Sequence, residues 1–249
     1  MKITIFQVNT ELNQDVTDVI VVANLTDRQT ETGWLYLDIT SNEAKDDQDQ
    51  AIAAGIAEGY LTSNAIYGYY KEFIHKGFCT VDPQFCEFIR EKFQQNLNWI
   101  KEMTKVQNDE GRSSSYWKMV NLFHSQLEGL KIGWLMKAEE NGDSIPEDFD
   151  VTWFAYFINF YPDAGDYIYN YKQFKKSNQS AIVFTAPSCS VLIKKVEKDV
   201  LIGHATWHVY ESMWYRLIKR YNLNYHIVSG DLIPGHTMTM SSHAGNIFR

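Results

Sequence analysis

The stretch "SNQSAIVFTAPSCSVLIKKV", residues 177–196, passes from a polar run through a proline into an apolar run of strand length, and Cys189 stands where that strand begins. Beyond it, "EKDVLIGHATW" over 197–207 carries a second apolar run of strand length. The two runs are expected to form a buried antiparallel hairpin turning at Glu197-Lys198, although that turn lacks the usual glycine. With the turn centred there, Cys189 faces Thr206. His204 then lies two residues from Thr206 on the same face, because side chains alternate with a period of two. Trp207 falls at the strand end, where it could wall a pocket. Spacing alone leaves the pair open between inert packing, the commoner state of a buried cysteine, and a thiol with a base beside it.

Outward from this hairpin, the whole chain has 249 residues, 45% of them hydrophobic and 14% aromatic, enough for a sizeable core in one large domain or two small ones. The formal charge of -8 argues against nucleic acid, which needs a basic face, and against anionic membrane surfaces at neutral pH. Protonating all seven histidines would move that charge from -8 to about -1, so an acidic compartment would largely neutralise the surface. No run approaches the roughly 18 apolar residues that span a bilayer. The opening "MKITIFQVNT" has too short an apolar run for a secretory signal, so either the protein is cytosolic or its N-terminus lies upstream. Two glycosylation triplets, at Asn24 and Asn178, lean towards the second reading, although such triplets also arise by chance.

Along the chain, "DVIVVANL" and "GWLYLDIT" read as strands joined through the polar "TDRQTET". A helical region follows. "DQAIAAGIAEGYLTSNAIYGYYKEFI" ends at a break near Gly77, and "DPQFCEFIREKFQQNLNWIKEM" starts with Asp82 as cap and Pro83 at the first helical position. A third helix carries the stripe Trp117, Val120, Phe123, Leu127, Leu130 and Trp134, read as core packing. "EDFDVTWFAYFINFY" is a fourth helix, and about 161–188 reads as an exposed linker loop. After the hairpin, "YESMWYRLIKRY" is expected to be an amphipathic helix, with "LNYHIVSG" and "TMTMSSH" as strands.

There are three cysteines. Cys79 and Cys86 flank the turn "CTVDPQFC", a separation that a helix start folding back on its approach could bridge, which would leave Cys189 as the free thiol. Three reduced thiols in a cytosolic protein is the alternative.

The segments "ETGWLYLDI", "AGIAEGYLT", the two-cysteine segment leading to "NLNWI", "YWKMVNLFHSQLEGLKIG", "CSVLIK", "HATWHVYESMWYRLIKRY" and "MSSHAG", in this order and spacing, resemble the phospholipase B-like family of lysosomal and secreted N-terminal-nucleophile hydrolases. The resemblance implies an α+β fold, a four-layer αββα sandwich of the N-terminal-nucleophile hydrolase type with a helical insertion in its first half. It implies a precursor that cuts its own backbone between Ser188 and Cys189, so that residues 1–188 form a first chain and 189–249 begin the catalytic one. The thiol of Cys189 would then attack an acyl carbonyl while its new α-amine manages the proton. His204 and Trp207 match the family's His-x-x-Trp after the nucleophile, with His204 polarising or handling protons and Trp207 shaping the pocket, to which Thr206 and Ser190 are added as lining. Cys79 and Cys86 match a disulfide of some members.

Relatives begin with a signal peptide and continue well past "SSHAGNIFR", where an asparagine and an arginine complete the site, so the resemblance implies a chain truncated at both ends. The expected substrate is a phospholipid or other acyl lipid, with no cofactor, no metal, no nucleic acid and no transmembrane segment, and the expected place is lysosomal or extracellular. Two other functions stay open: an amide-bond hydrolase of the acylase or ceramidase kind, and a catalytically inactive lipid-binding fragment.

Overall fold

A computed structural model of the chain describes residues 4–7, 19–109, 114–175, 188–207 and 215–247. Strand β1 (Thr4–Gln7) runs parallel to β2 (Val21–Arg28). One helical turn, α1 (Gln29–Thr32), closes on Gly33 at φ 77, a left-handed conformation that glycine adopts without steric cost, and leads into β3 (Trp34–Ser41). β2 and β3 pair antiparallel from Val21↔Ser41 to Arg28↔Trp34. Val21, Ala23, Leu35, Leu37 and Ile39 are buried in alternation, so one face of the ribbon meets the core.

Helices cover that face. α2 (Asp47–Leu61) is capped by Asp46, whose carboxylate accepts from the amides of Gln48 and Asp49. It buries residues all round its circumference because it lies between the β2–β3 ribbon and α5 (Ser115–Asn141). The helices cross on glycines. A Cβ on Gly55 would stand 2.1 Å from the Gln126 carbonyl oxygen and one on Gly133 2.0 Å from that of Ile56, so the two backbones touch where no side chain intervenes.

Between α2 and α5 come α3 (Ser63–Tyr69), a π-helix over Tyr70–Cys79, and α4 (Pro83–Asp109). Asp82 accepts from the Phe85 amide at 2.9 Å with Pro83 in the first helical position, as expected. The break expected near Gly77 falls three residues further on: the π-helix runs through Gly77 to Cys79 and the chain turns over residues 80–82 before α4, with a further interruption at Thr62. α6 (Phe154–Phe160) closes an aromatic core in which Trp134 stacks on Phe149 at 4.0 Å.

Two expected loops and helices take another form. Within 161–188, α7 (Ala164–Lys175) is helical and buries Ala164, Ile168 and Tyr171 on one side, a spacing of i, i+4, i+7 hidden among its polar residues. Residues 176–187 lie outside the described residues. The strands β4 (Ser188–Val196) and β5 (Asp199–Trp207) form the expected hairpin, but it is not buried. Leu192 is 71% and Ile202 69% exposed, although apolar residues on both faces make the pattern of a strand covered on both sides.

The helix expected over "YESMWYRLIKRY" is corrected by β6 (Arg216–Asn222), which runs parallel to β3 and antiparallel to β7 (Thr237–His243); residues 208–214 lie outside the described residues. Leu217 and Tyr221 imitate a helical i, i+4 pair. The true alternation is Leu217, Lys219, Tyr221, all buried, with a charged residue in the middle of the core face. "LNYHIVSG" makes no strand; a single bridge joins His226 to Leu232. The five-stranded sheet has the order β1-β2-β3-β6-β7, and helices and sheet together make an α+β fold.

Candidate functional site

The hairpin β4–β5 turns at Glu197-Lys198 without a glycine because Glu197 itself takes a left-handed φ of 47. Its register pairs Cys189 with Thr206 and Val191 with His204. Cys189 and His204 therefore lie on the same face as diagonal neighbours, a relation that places such positions about 7–8 Å apart. Cys189 is exposed and free, so its thiol is open to an acyl group. His204 is exposed as well, and its Nδ1 lies 3.0 Å from the Ser241 hydroxyl of β7. That contact ties the hairpin to the edge strand of the main sheet.

The other expected site residues are distributed differently. Ser190 pairs with Ala205 and belongs to the face opposite Cys189, so it does not share the nucleophile's side of the hairpin. Ser188 and Trp207 pair with one another at the open end. The side chains of Ser188, Thr206 and Trp207, and Asn178 altogether, lie outside the described residues. Asn24 sits within β2, half-buried, where its Nδ2 donates to Thr26 Oγ1 at 3.2 Å. A strand interior is not the surface loop that a glycan acceptor usually occupies. Cys79 and Cys86 are joined by a disulfide.

Ser241 was not among the expected site residues. It is part of "MSSHAG", but a contact between strands 37 residues apart leaves no local pattern in the sequence.

Two polar networks tie α2 to the main sheet and to α5. Glu58 of α2 accepts from Lys219 Nζ at 2.6 Å, from Tyr221 Oη and from the Gly245 amide at 3.2 Å, while Lys219 also donates to the Asn246 carbonyl at 2.6 Å. Burial pushes the Lys219 ammonium below its ordinary value against the opposing pull of Glu58. Asp47 receives Lys118 Nζ at 2.6 Å and the His226 amide and ring at 2.9 Å. Burial alone would raise Asp47, but the hydrogen bonds from Lys118 and His226 prevail and hold it below the usual carboxylate value.

A polar cleft of about 290 Å³ lies elsewhere, beside the disulfide, among Tyr70, His75, Arg90, Asp148 and Asp150, and takes no residue from the hairpin. Among the described residues no group of three or more His, Cys, Asp or Glu could hold a metal ion, and no helix is long and apolar enough to cross a membrane.

Comparison with known proteins covers the same ground as the fold. Residues 21–248 match the family model for phospholipase B. Phospholipase B-like 2 of Rattus norvegicus is 30% identical over 239 residues, covering 93% of this chain and 39% of the relative. Phospholipase B-like 2 of Homo sapiens is 31% identical, with 93% and 38% covered, and phospholipase B-like 1 of Caenorhabditis elegans is 31% identical, with 92% and 38% covered. Each name states a likeness to phospholipase B rather than a reaction. The chain spans 38–39% of the length of these relatives. With the family match running from the start of β2 to beyond the end of β7, over most of its length, the chain belongs to the phospholipase B family.

Proposed function

We propose that this chain carries the nucleophile of a phospholipase B-like acyl hydrolase of the N-terminal-nucleophile type. The observation that supports it most is the hairpin register, which sets an exposed Cys189 at the head of β4 with His204 on its face, in a chain of this family. The backbone is cut between Ser188 and Cys189, leaving 1–188 as one chain and 189–249 as the start of the other, with the sheet forming part of a four-layer αββα sandwich.

The thiol of Cys189 adds to the acyl carbonyl, its proton passing to the α-amine, whose unperturbed pKa is about 7.7–8.0. The tetrahedral adduct expels the alcohol of the lysophospholipid, which leaves with a proton, and a thioester remains. Water cleaves the thioester to a fatty acid and restores the thiol. His204 handles protons, and Trp207 with Thr206 bounds the acyl pocket.

The Cys79–Cys86 bridge favours an oxidising compartment, and so a lysosomal or extracellular place, with a glycan on Asn178 as the secondary expectation and the strand position of Asn24 counting against one there.

Release of fatty acid from phosphatidylcholine vesicles tests the reaction, with an N-acyl amide substrate in parallel. Ester turnover lost in Cys189→Ala supports the proposal. Faster amide cleavage would make the protein an amidase of the same mechanism, and turnover that survives Cys189→Ala would refute the nucleophile. A second reading, lipid binding without catalysis, is favoured by the exposed apolar side chains of the hairpin. Vesicle co-sedimentation without any acyl release would select it.

A further inference from the structure

We propose that Arg216 is a phosphate-binding residue, receiving the head-group phosphodiester of the lipid while the acyl ester lies at the hairpin; this deepens the reading of the chain as a phospholipid hydrolase and rests on it. The other three described arginines each hold a carboxylate: Arg28 on Glu31 at 2.7 Å, Arg90 on Asp150 at 2.8 Å and Arg220 on Asp38 at 3.5 Å. Arg216 pairs with no described carboxylate. Of its five N–H donors, one finds an acceptor among the described residues: Nη2 donates to the Gly33 carbonyl at 3.4 Å, long for a hydrogen bond. Nε is shielded from solvent and has no partner. A cationic donor left unmatched is costly in the folded chain, and an oxyanion in the plane of the guanidinium removes that cost.

The guanidinium is nonetheless held in place. It stacks on the Trp34 ring at 4.4 Å, and Gly33 leaves room for it, since a Cβ there would lie 3.0 Å from Nη2. A planar fork kept in one orientation by an aromatic face is pre-organised for bidentate recognition of phosphate.

Its position on the sheet relates it to the hairpin. Leu217, Lys219 and Tyr221 are buried and Lys219 meets Glu58 of α2, so the alternation of β6 puts Arg216 and Ile218 on the opposite face. Ser241 pairs with Ile218, which makes Arg216 and Ser241 diagonal neighbours on that face, a relation of about 7–8 Å. Ser241 is also where His204 of the hairpin touches the sheet. The few bonds of glycerol that separate an acyl ester from the phosphate span a step of this size. Arg28, opposite Trp34 in the β2–β3 ladder, is neutralised by Glu31, which leaves the charge of Arg216 to the ligand.

Titration of the full chain with glycerophosphocholine at pH 5, followed through the Arg216 Nε–H resonance in ¹H–¹⁵N spectra, reads binding without catalysis. A saturable shift is expected, with none from glycerol; the resonance is assigned by its loss in Arg216→Met. Inorganic phosphate is the second arm. If it alone shifts the resonance, the site takes free phosphate and the head-group assignment is overturned; no shift with either, or an equal shift with glycerol, overturns the proposal altogether. With lysophosphatidylcholine as substrate, Arg216→Met should raise KM about ten- to a hundredfold with kcat little changed, the worth of a charged hydrogen bond, while monoacylglycerol, an ester without the phosphate, keeps its KM. Arg216→Lys, which restores the charge but not the fork, should recover part of the loss. Equal KM rises for both substrates would make Arg216 only a structural partner of Trp34 and overturn the proposal. A shift by glycerophosphocholine in a chain that hydrolyses neither ester leaves the phosphate site standing and removes the hydrolase reading.

Discussion

Lys219 of β6 and Glu58 of α2 form an ion pair of 2.6 Å in which both side chains are fully buried. Removing one partner strands the other charge in the core. Lys219→Met is expected to cost about 3–5 kcal/mol of unfolding free energy, and Lys219→Met with Glu58→Gln to recover much of it, because the uncompensated carboxylate is gone. Urea unfolding of both single variants and the double variant checks this. Equal losses in Lys219→Met and the double variant would mean that the pair is not coupled.

Asp47 gives a pH dependence. Its carboxyl is held below its ordinary value of 3.8 in the folded chain, so it binds a proton more weakly folded than unfolded. The stability it adds is therefore fully present above about 3.8, including at pH 5, and is lost as pH falls through the lower folded value. Asp47→Asn should destabilise by about 1–3 kcal/mol at pH 5 to 7, with the gap to the unaltered chain narrowing below pH 4. A gap that stays constant to pH 2.5 would show that the carboxylate's charge contributes nothing.

The glycine crossing makes a steric prediction. A Cβ at Gly129 would lie 2.2 Å from the Ile52 carbonyl oxygen, whereas one at Gly77 meets nothing within 4 Å. Gly129→Ala must push α5 off α2 and is expected to cost about 3 kcal/mol or more, and Gly77→Ala to stay within about 0.5 kcal/mol of the unaltered chain. Thermal unfolding of the two variants side by side separates close packing from a general effect of glycine replacement.

The Cys79–Cys86 bridge closes a sequence separation of only 7 residues. By the loop-entropy relation its loss costs about 2–3 kcal/mol. Alkylation of the folded chain should label Cys189 alone, and all three thiols only after reduction. Three reactive thiols in material from an oxidising compartment would contradict the bridge.

Local patterns carried the hairpin register, the α4 cap at Asp82 and the β2–β3 ribbon, since each depends on residues close together in the chain. β6 was hidden because the residue completing its alternation is Lys219, apolar in effect only through Glu58, 161 residues away. The core face of α5 was partly misread for a related reason: the expected stripe includes Trp117, which is half-buried, while Gly129 and Gly133 are the points of closest contact. Ser241 escaped because its relation to His204 exists only after the hairpin and the main sheet are brought together. The exposure of the hairpin was likewise not legible, since apolar runs report what a strand is suited to contact and not what contacts it.

The central claim, that Cys189 becomes an N-terminal nucleophile, is tested most directly by intact mass and N-terminal sequencing of the folded chain after prolonged incubation at pH 5. The account predicts two fragments, the second beginning Cys189-Ser190-Val191, and no such fragment from Cys189→Ala. A folded chain that remains at 28.9 kDa with Cys189 reduced, or one cut at another bond, would contradict it.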